Sequence, residues 1–546
     1  MSVYRPPVFS APIDLDLSKN EGRPSIGGLK IDRATAAVLT SRYPDVSLLT
    51  KQVAARHSIP EERVLVTAGG DDALFRCFLR SAGPVVSTTP SFEMIARYTE
   101  QLGLELTEIP WWDGDFPVTD LLETSAGMAV VVSPNNPTGS VLTTADLRKV
   151  AEVLPFVVLD GAYMDFADED MTEVALEFDN VVVVRTLSKA FGLAGLRVGY
   201  ALGSPWMISE LSGYGSPYSL SALSAALAAE VLETKPEHAV DYAAVIVAER
   251  TRLIEVLDEL GVVTLPSQGN FVLVTGIDAE WLTSAAASLG IALRRFPDRA
   301  DLEGCVRITL PGDTDDFDRL AHVLRTVLEP EALLLDMDGV LADVSRSFRE
   351  AIVATAAGYG VSVTWDQIVA AKAAGNASDD WQLTRDLLAA AGVEATFEEV
   401  RDRFETIYQG TSEQPGLKIA ERLLPDLEFL ERLSKRVPLG IVTARPRRDA
   451  EEFLERFGIQ QLFQAVVTRE DAPSKPDPAP IRLALQHLGV TRAWMAGDTR
   501  DDLDAARAAG VVPIAVMVPG DDVVGLVAAA KVVGSIQEIE EILDVP

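Results

Sequence analysis

Short apolar runs that stop abruptly at polar residues recur along the whole chain, and they constrain the fold more than any other feature. Residues 128–132 run into Ser133-Pro-Asn-Asn-Pro-Thr-Gly139, residues 156–159 into Asp160-Gly-Ala-Tyr163, and residues 181–184 into the stretch Thr186-Leu-Ser-Lys-Ala-Phe-Gly-Leu-Ala-Gly-Leu-Arg197. Much later, residues 332–335 run into Asp336-Met-Asp-Gly339, residues 439–442 into Thr443-Ala-Arg445, and Met495-Ala-Gly497 into Asp498. Runs of this length read as buried strands. The longer segments between them carry helical patterns, so the alternation predicts α/β architecture. In open α/β sheets ligands sit at the carboxyl ends of strands, and these polar clusters are where chemistry is expected.

A chain of 546 residues is too long for one core. The main break falls near Leu328-Glu-Pro-Glu331: residues 315–328 read as a closing amphipathic helix, and Ala332-Leu-Leu-Leu-Asp336 starts a new strand with new chemistry. The expected parts are therefore 1–330 and 331–546. No apolar run approaches the roughly 20 residues that span a bilayer, and the first residues lack a charged-then-apolar leader pattern. Cys77 and Cys305 form no metal-ligand spacing, and a reducing cytoplasm is the expected setting. A net charge of −34 argues against nucleic-acid binding and reads as a well-solvated surface. His57, His238, His322 and His487 sit in no constellation, so the chemistry falls to Lys, Asp, Arg and Tyr.

In the first part, Lys189 follows a strand and has Ser188, Gly192, Gly195 and Arg197 around it. Hydroxyls and glycines let backbone approach a phosphate, and arginine offers a planar fork of donors. A lysine beside a phosphate site points to pyridoxal phosphate held as a Schiff base; the plain alternative is a lysine that ends a strand. Gly69-Gly70 before a helix starting at Asp71 makes an anion site or an ordinary glycine turn. Asp160 is costly to bury without a cationic partner, and a protonated pyridine nitrogen is one.

Taken together, Tyr43-Pro-Asp45, Gly69-Gly-Asp-Asp72, Pro90-Ser-Phe92, Ser133 to Gly139, Asp160-Gly-Ala-Tyr163, Ser188-Lys-Ala-Phe191, Gly195-Leu-Arg197, Asn270-Phe271 and Val306-Arg-Ile-Thr309 resemble the motifs of fold-type I pyridoxal-phosphate aminotransferases, and within them the histidinol-phosphate aminotransferases. The resemblance implies a large mixed-sheet domain with a small domain. It implies that Lys189 holds the cofactor and shuttles a proton, and that Asp160 keeps the ring nitrogen protonated. Asn136 and Tyr163 would bond the ring hydroxyl and Phe92 would stack on the ring. Gly70, Asp71, Thr186, Ser188 and Arg197 would hold the phosphate. Tyr43 would reach the phosphate of a neighbouring subunit, which implies a homodimer. Arg307 would grip the glutamate carboxylate, and Arg294 would meet the substrate phosphate or else be a surface charge at a strand end. Asn20 would lie near the substrate, in Asn20-Glu-Gly-Arg-Pro24, where the family usually has Asn-Glu-Asn-Pro.

The second part is similar to haloacid-dehalogenase-like phosphatases through Asp336-Met-Asp338, Thr443, Lys475 in Pro473-Ser-Lys-Pro-Asp477, and Asp498-Thr-Arg-Asp-Asp502, in family order. Two carboxylates this close raise each other's pKa unless a cation intervenes, and Mg²⁺ suits hard oxygen ligands. The resemblance implies a Rossmann-like domain with Asp336 as nucleophile, Asp338 as acid and base, and Thr443 and Lys475 stabilising the transferring phosphoryl group. Asp336, the carbonyl of Asp338 and Asp498 would bind Mg²⁺, with Asp502 in support. Residues 345–425 read as a helical cap, in which Lys372-Ala-Ala-Gly-Asn-Ala-Ser-Asp-Asp-Trp381 either reads the leaving group or simply connects helices.

An aminotransferase for a phosphorylated substrate joined to a phosphatase matches two consecutive steps of histidine biosynthesis: imidazole acetol phosphate plus glutamate to histidinol phosphate, then histidinol. The alternatives are an aminotransferase for another phosphorylated or aromatic substrate, or a threonine-phosphate decarboxylase-like enzyme, fused to a phosphatase for an unrelated ester. A non-enzymatic second part is a further alternative, against which its full set of motif residues speaks.

Overall fold

The computed structural model describes residues 8–9, 11–23, 31–81, 83–374, 379–517 and 529–544. They pack into two compact units. The first holds the described residues within 16–277 and 293–319, and the second those within 8–15, 278–292 and 320–544. No described helix is long and apolar enough to cross a membrane.

The first unit is built on a seven-stranded sheet in the order Val64–Thr67, Gly199–Leu202, Val181–Thr186, Val157–Asp160, Met128–Val132, Val85–Thr89, Leu106–Pro110. Gly199–Leu202 runs antiparallel to both neighbours, and the other pairings are parallel. Every residue of the three strands Met128–Val132, Val157–Asp160 and Val181–Thr186 is buried. Parallel strands covered on both faces are largely apolar, which is why they read as near-continuous runs; Arg185, buried near the end of Val181–Thr186, pairs with Asp165 and Asp170. Val130, Val158 and Val182 pack against Leu74, Cys77 and Phe78 of the helix Gly70–Arg80 and against Met207 and Leu211 of Pro205–Ser212. Asp160 lies in register with Val132 on one side and Val184 on the other. The register therefore brings the Ser133, Asp160 and Thr186 strand ends side by side.

A second, antiparallel sheet of this unit has the order Arg294–Arg295, Val306–Thr309, Phe271–Thr275, Val263–Thr264. In it Arg294 stands directly opposite Arg307. Directly opposed residues share a face of the sheet, and like charges so placed repel.

The second unit contains a six-stranded parallel sheet in the order Phe463–Val467, Leu439–Val442, Ala332–Leu335, Ala493–Gly497, Val512–Val516, Lys531–Val533. The three central strands end at Thr443, Asp336 and Asp498. Helices Phe348–Ala357, Trp365–Ala374, Asp380–Ala390 and Phe397–Gln409 form the inserted helical cap. Its two connections pair as short antiparallel strands, with Ala342 opposite Leu423 and Asp343 opposite Arg422. Phe348 stacks on Tyr408 at 4.4 Å and closes the helices on one another. Thr396 and Glu399 form a capping box at the start of Phe397–Gln409, which satisfies two otherwise orphaned amides. Within this unit Trp494 donates from its indole N–H to the Thr326 carbonyl at 2.8 Å and meets Trp281 edge-on, which ties the helices carrying those residues to the sheet.

Candidate active sites

In the first unit a cavity of about 550 Å³ opens at the carboxyl ends of the central strands. Lys189, Asp160, Asn136, Tyr163 and Phe92 line it, as do Arg294 and Arg307. At one end lie Gly70, Asp71, Thr186, Ser188 and Arg197. There the helix Gly70–Arg80 begins, with its unpaired N-terminal amides. Gly69 has φ +85°, which favours glycine, and a Cβ on Gly199 would run into the Gly69 backbone. The Thr186 hydroxyl donates to the Ser188 hydroxyl at 2.9 Å and accepts the Ser188 amide at 3.1 Å. Arg197, itself in the left-handed region at φ 54°, bonds Asp71 at 3.0 Å. Amides, hydroxyls and a guanidinium together form an anion cradle.

Asp160 is 6% exposed and accepts the Ala162 amide at 3.1 Å. Burial pushes its carboxyl up to about 6. A cationic N–H beside it would relieve that cost. Lys189 sits over the Tyr163 ring with Nζ 5.6 Å from the centroid, and Nζ lies 3.5 Å from the Lys19 carbonyl. Gly22 passes so close that a Cβ there would collide with the Lys189 carbonyl. An anion cradle, a buried carboxyl wanting a cation and a lysine between them fit pyridoxal phosphate.

Of the substrate candidates, Arg294 and Arg307 line the same cavity, whereas Asn20, expected near the substrate, does not. Arg307 donates to Asn136 Oδ1 at 2.6 Å and to the Ser18 carbonyl at 2.9 Å. Asn20 is buried with φ 54°, donates to the Tyr163 hydroxyl at 3.0 Å and accepts from the Thr309 hydroxyl at 2.5 Å. Its place is thus behind Tyr163. Tyr43 does not line the cavity; it is 78% exposed and stacks on Tyr218 at 4.4 Å. Sequence reasoning missed Arg299, which lines the cavity, bonds the Ser91 carbonyl at 3.5 Å and pairs with Asp301. In the sequence it stands in the loop Pro297-Asp-Arg-Ala-Asp301 and carries no periodic or motif signal.

In the second unit Asp336, Asp498 and Asp502 bring carboxylate oxygens within 4.8 Å of one another. Lys475 bonds Asp336 at 2.8 Å, Asp502, and the Val442 carbonyl at 3.1 Å. Burial pushes the Asp336 carboxyl up against the pull of Lys475, and Asp502 and Asp338 push it further. Burial alone would lower the Lys475 ammonium, but Asp336 and Asp502 hold it above its usual range. Gly497 leaves the room this needs, since a Cβ there would strike the Asp502 side chain. Three carboxylates crowded together, two of them on one ammonium, fit a divalent cation with oxygen ligands, as Mg²⁺ is. Thr443 is buried beside them and accepts the Arg445 amide at 3.2 Å. The Asp338 carboxylate turns instead to Arg445, at 2.7 Å. Sequence reasoning gave Asp502 only a supporting part, yet its carboxylate stands within the cluster. Of the loop Lys372 to Trp381, residues 375–378 lie outside the described residues, and Trp381 packs on Arg469 at 4.0 Å.

Residues 28–324 match the family model for aminotransferase class I and II, and residues 333–516 that for haloacid dehalogenase-like hydrolase. A histidinol-phosphate aminotransferase from Nostoc sp. is 31% identical over 334 residues, which is 60% of this chain and 94% of that protein. A histidinol-phosphate aminotransferase from Sinorhizobium meliloti, solved with pyridoxal-5'-phosphate, superposes with a TM-score of 0.51 at 26% identity, covering 58% of this chain and 91% of that one. An imidazoleglycerol-phosphate dehydratase from Phytophthora nicotianae is 48% identical over 197 residues, 35% of this chain, and the chain spans 44% of that relative's length. With more than half its length matched and its cofactor cradle in place, the chain belongs to the class I and II aminotransferases, where its relatives include histidinol-phosphate aminotransferases, and joins to that part a haloacid-dehalogenase-like hydrolase.

Proposed function

We propose that the chain catalyses two successive reactions of histidine biosynthesis. The first transfers the amino group of glutamate to imidazole acetol phosphate, giving histidinol phosphate and 2-oxoglutarate. The second hydrolyses histidinol phosphate to histidinol and phosphate. Residues 1–330 form the aminotransferase part and residues 331–546 the phosphatase part. The observation that carries the first reaction is the Arg294–Arg307 pair, two guanidinium groups opposed on one face of a sheet and lining the same cavity as Lys189. Such a pair repels unless anions occupy it, and a dianionic phosphate ester and a dicarboxylate supply those anions in turn.

When bound, pyridoxal phosphate supplies an electron sink for negative charge at the substrate's α-carbon. Lys189 would hold it, and its Nζ would take and return the α-carbon proton. Asp160 would keep the ring nitrogen protonated, Phe92 would stack on the ring, and Asn136 and Tyr163 would bond its hydroxyl. Gly70, Asp71, Thr186, Ser188 and Arg197 would hold the phosphate. Arg307 takes the substrate carboxylate and Arg294 the substrate phosphate, with Asn20 steadying Tyr163. We read this part as a homodimer in the cytoplasm, with exposed Tyr43 serving a partner's phosphate site.

In the second part an Asp336 oxygen forms a bond to phosphorus while the ester P–O bond breaks. The electron pair stays on the leaving oxygen, which takes a proton from Asp338. Asp338, now a carboxylate, accepts a proton from water as that water attacks phosphorus, freeing phosphate and restoring Asp336. Thr443 and Lys475 offset the charge on the transferring group. Asp336, Asp498 and the Asp338 carbonyl, with Asp502, would hold Mg²⁺, whose charge balances that of the carboxylates and the phosphoryl oxygens. The test is to supply imidazole acetol phosphate, glutamate, pyridoxal phosphate and Mg²⁺ and to measure histidinol and free phosphate. Turnover of other phosphate esters with histidinol phosphate left intact would refute the sequential reading.

A further inference from the structure

Behind the phosphatase site runs a buried ionic chain that the reaction above does not use. Arg445 is 2% exposed and donates through Nε to Asp338 Oδ1 at 2.7 Å. Its far side donates through Nη1 and Nη2 to the Glu421 carboxylate at 3.0 and 3.2 Å. Glu421 is 3% exposed, and its Oε1 also accepts from the Ser347 hydroxyl at 2.9 Å and the Tyr408 hydroxyl at 3.0 Å. The rings of Phe348 and Phe453 lie 5.0 and 5.3 Å from the guanidinium carbon and seal the chain from water. The Asp338 side chain, at the other end, keeps 23% exposure.

These residues belong to different parts of the unit. Arg445 follows a strand of the parallel sheet, and Tyr408 lies on the cap helix Phe397–Gln409. Ser347 directly precedes the cap helix Phe348–Ala357, and Glu421 directly precedes the connection strand Arg422–Leu423. A buried ion pair is weak evidence of stability, since apolar residues serve packing as well. What needs a reason is that one guanidinium is shared between the cap connection and the acid/base carboxylate.

We propose that Glu421, acting through Arg445, positions the Asp338 carboxylate, so that the seating of the cap sets the geometry of proton transfer. This rests on the reading of Asp338 as the group that protonates the leaving oxygen. Arg445 grips Oδ1 and orients the carboxyl, and the proton passes from the other oxygen to the ester oxygen as the P–O bond breaks. Glu421 touches no substrate and is a positioning residue.

The test compares, in the first turnover, release of the leaving group from an alkyl ester, histidinol phosphate, and from p-nitrophenyl phosphate, whose leaving group departs without a proton, on the full chain with Mg²⁺; the later hydrolysis at Asp336, which needs Asp338 as base for both esters, does not enter this rate. Asp338→Asn should lower the first-turnover rate about 100-fold on the alkyl ester and far less on the aryl ester. Glu421→Gln keeps the shape and the two hydroxyl partners but removes the charge. It should lower the first-turnover rate on the alkyl ester about tenfold, leave the aryl ester within about twofold, and leave the affinity for both esters unchanged. Tyr408→Phe, a milder change, should move the ratio of the two rates in the same direction by about threefold, and serves if Glu421→Gln does not fold. Loss of both rates together, or an unmoved ratio where Asp338→Asn moves it, overturns the proposal. If Asp338→Asn leaves the ratio unmoved, the reading of Asp338 as the acid falls and takes the proposal with it.

Discussion

Replacing Arg294 by Gln separates the two substrates of the aminotransferase part. A charge-assisted hydrogen bond to phosphate is worth about 1.5–3 kcal/mol. Two features of the structure reduce the net loss. Arg294 stands opposite Arg307, and removing a like charge at that position returns about 0.2–1 kcal/mol. Its contact with Glu93 is a long 3.9 Å between partly exposed groups and contributes little either way. The net cost is about 0.5–2.8 kcal/mol, or about 2–100-fold in kcat/KM for the phosphorylated substrate. The half-reaction with glutamate, followed by the absorbance change of the bound cofactor, should stay within about twofold. Arg307→Gln is the contrast: Arg307 is buried and bonds Asn136 and Ser18, so both half-reactions should fall at least tenfold. Equal, small effects of Arg294→Gln on both half-reactions would refute the assignment and make Arg294 an ordinary strand-end charge.

Further outcomes are expected. Transamination between similar carbon skeletons is close to balance, whereas hydrolysis of a phosphate ester in water is effectively irreversible, so Asp336→Asn should stall with phosphorylated amine accumulating. Adding Lys189→Ala protein, which transfers no amino group but keeps its phosphatase, should restore full conversion; complete conversion by Asp336→Asn alone would exclude Asp336 as nucleophile. Asp160, raised from 3.8 to about 6 by burial, binds more protons folded than unfolded between those values, so it destabilises the cofactor-free fold increasingly as pH rises through them. The full effect above pH 6 is about 3 kcal/mol and roughly half is present at pH 5; Asp160→Asn should therefore raise the cofactor-free melting temperature more at pH 8 than at pH 5, and an equal shift at both would disprove the buried-charge account. Gly497→Ala should cut Mg²⁺-dependent hydrolysis at least tenfold, because the added methyl displaces Asp502, while amino transfer is unchanged; an undiminished phosphatase would show that the Asp502 position is not needed.

The strand ends were legible because parallel strands buried on both faces are mostly apolar until the chain emerges, and the candidate site residues stand where it does. Lys189, Asp160, Asp336 and Asp498 became candidates on that ground, and the family resemblance gave them their expected roles. Arg307 could be placed on a strand, but its position opposite Arg294 depends on a hairpin that turns through residues 296–305, and no pattern in the sequence fixes that register. Arg299 was hidden for the same reason. Glu421 lies 24 residues from Arg445 and is surrounded by ordinary helical and loop sequence, so only the folding of the cap back onto the sheet brings the two together. Asp502 was visible as one acid among several, but its rank beside Asp336 and Asp498 follows from the absence of a side chain at Gly497.

The paired strands Ala342–Asp343 and Arg422–Leu423 mean that the cap leaves and re-enters the sheet domain at adjacent points. An insertion whose two ends already touch adds little chain-closure entropy whatever its length. Its contents can therefore drift, lengthen or be exchanged for another lineage's helices while the parallel sheet beneath keeps its order. Selection for a new leaving group can act between these two strands, and an engineer can graft there, provided the incoming segment ends in a carboxylate at the position of Glu421.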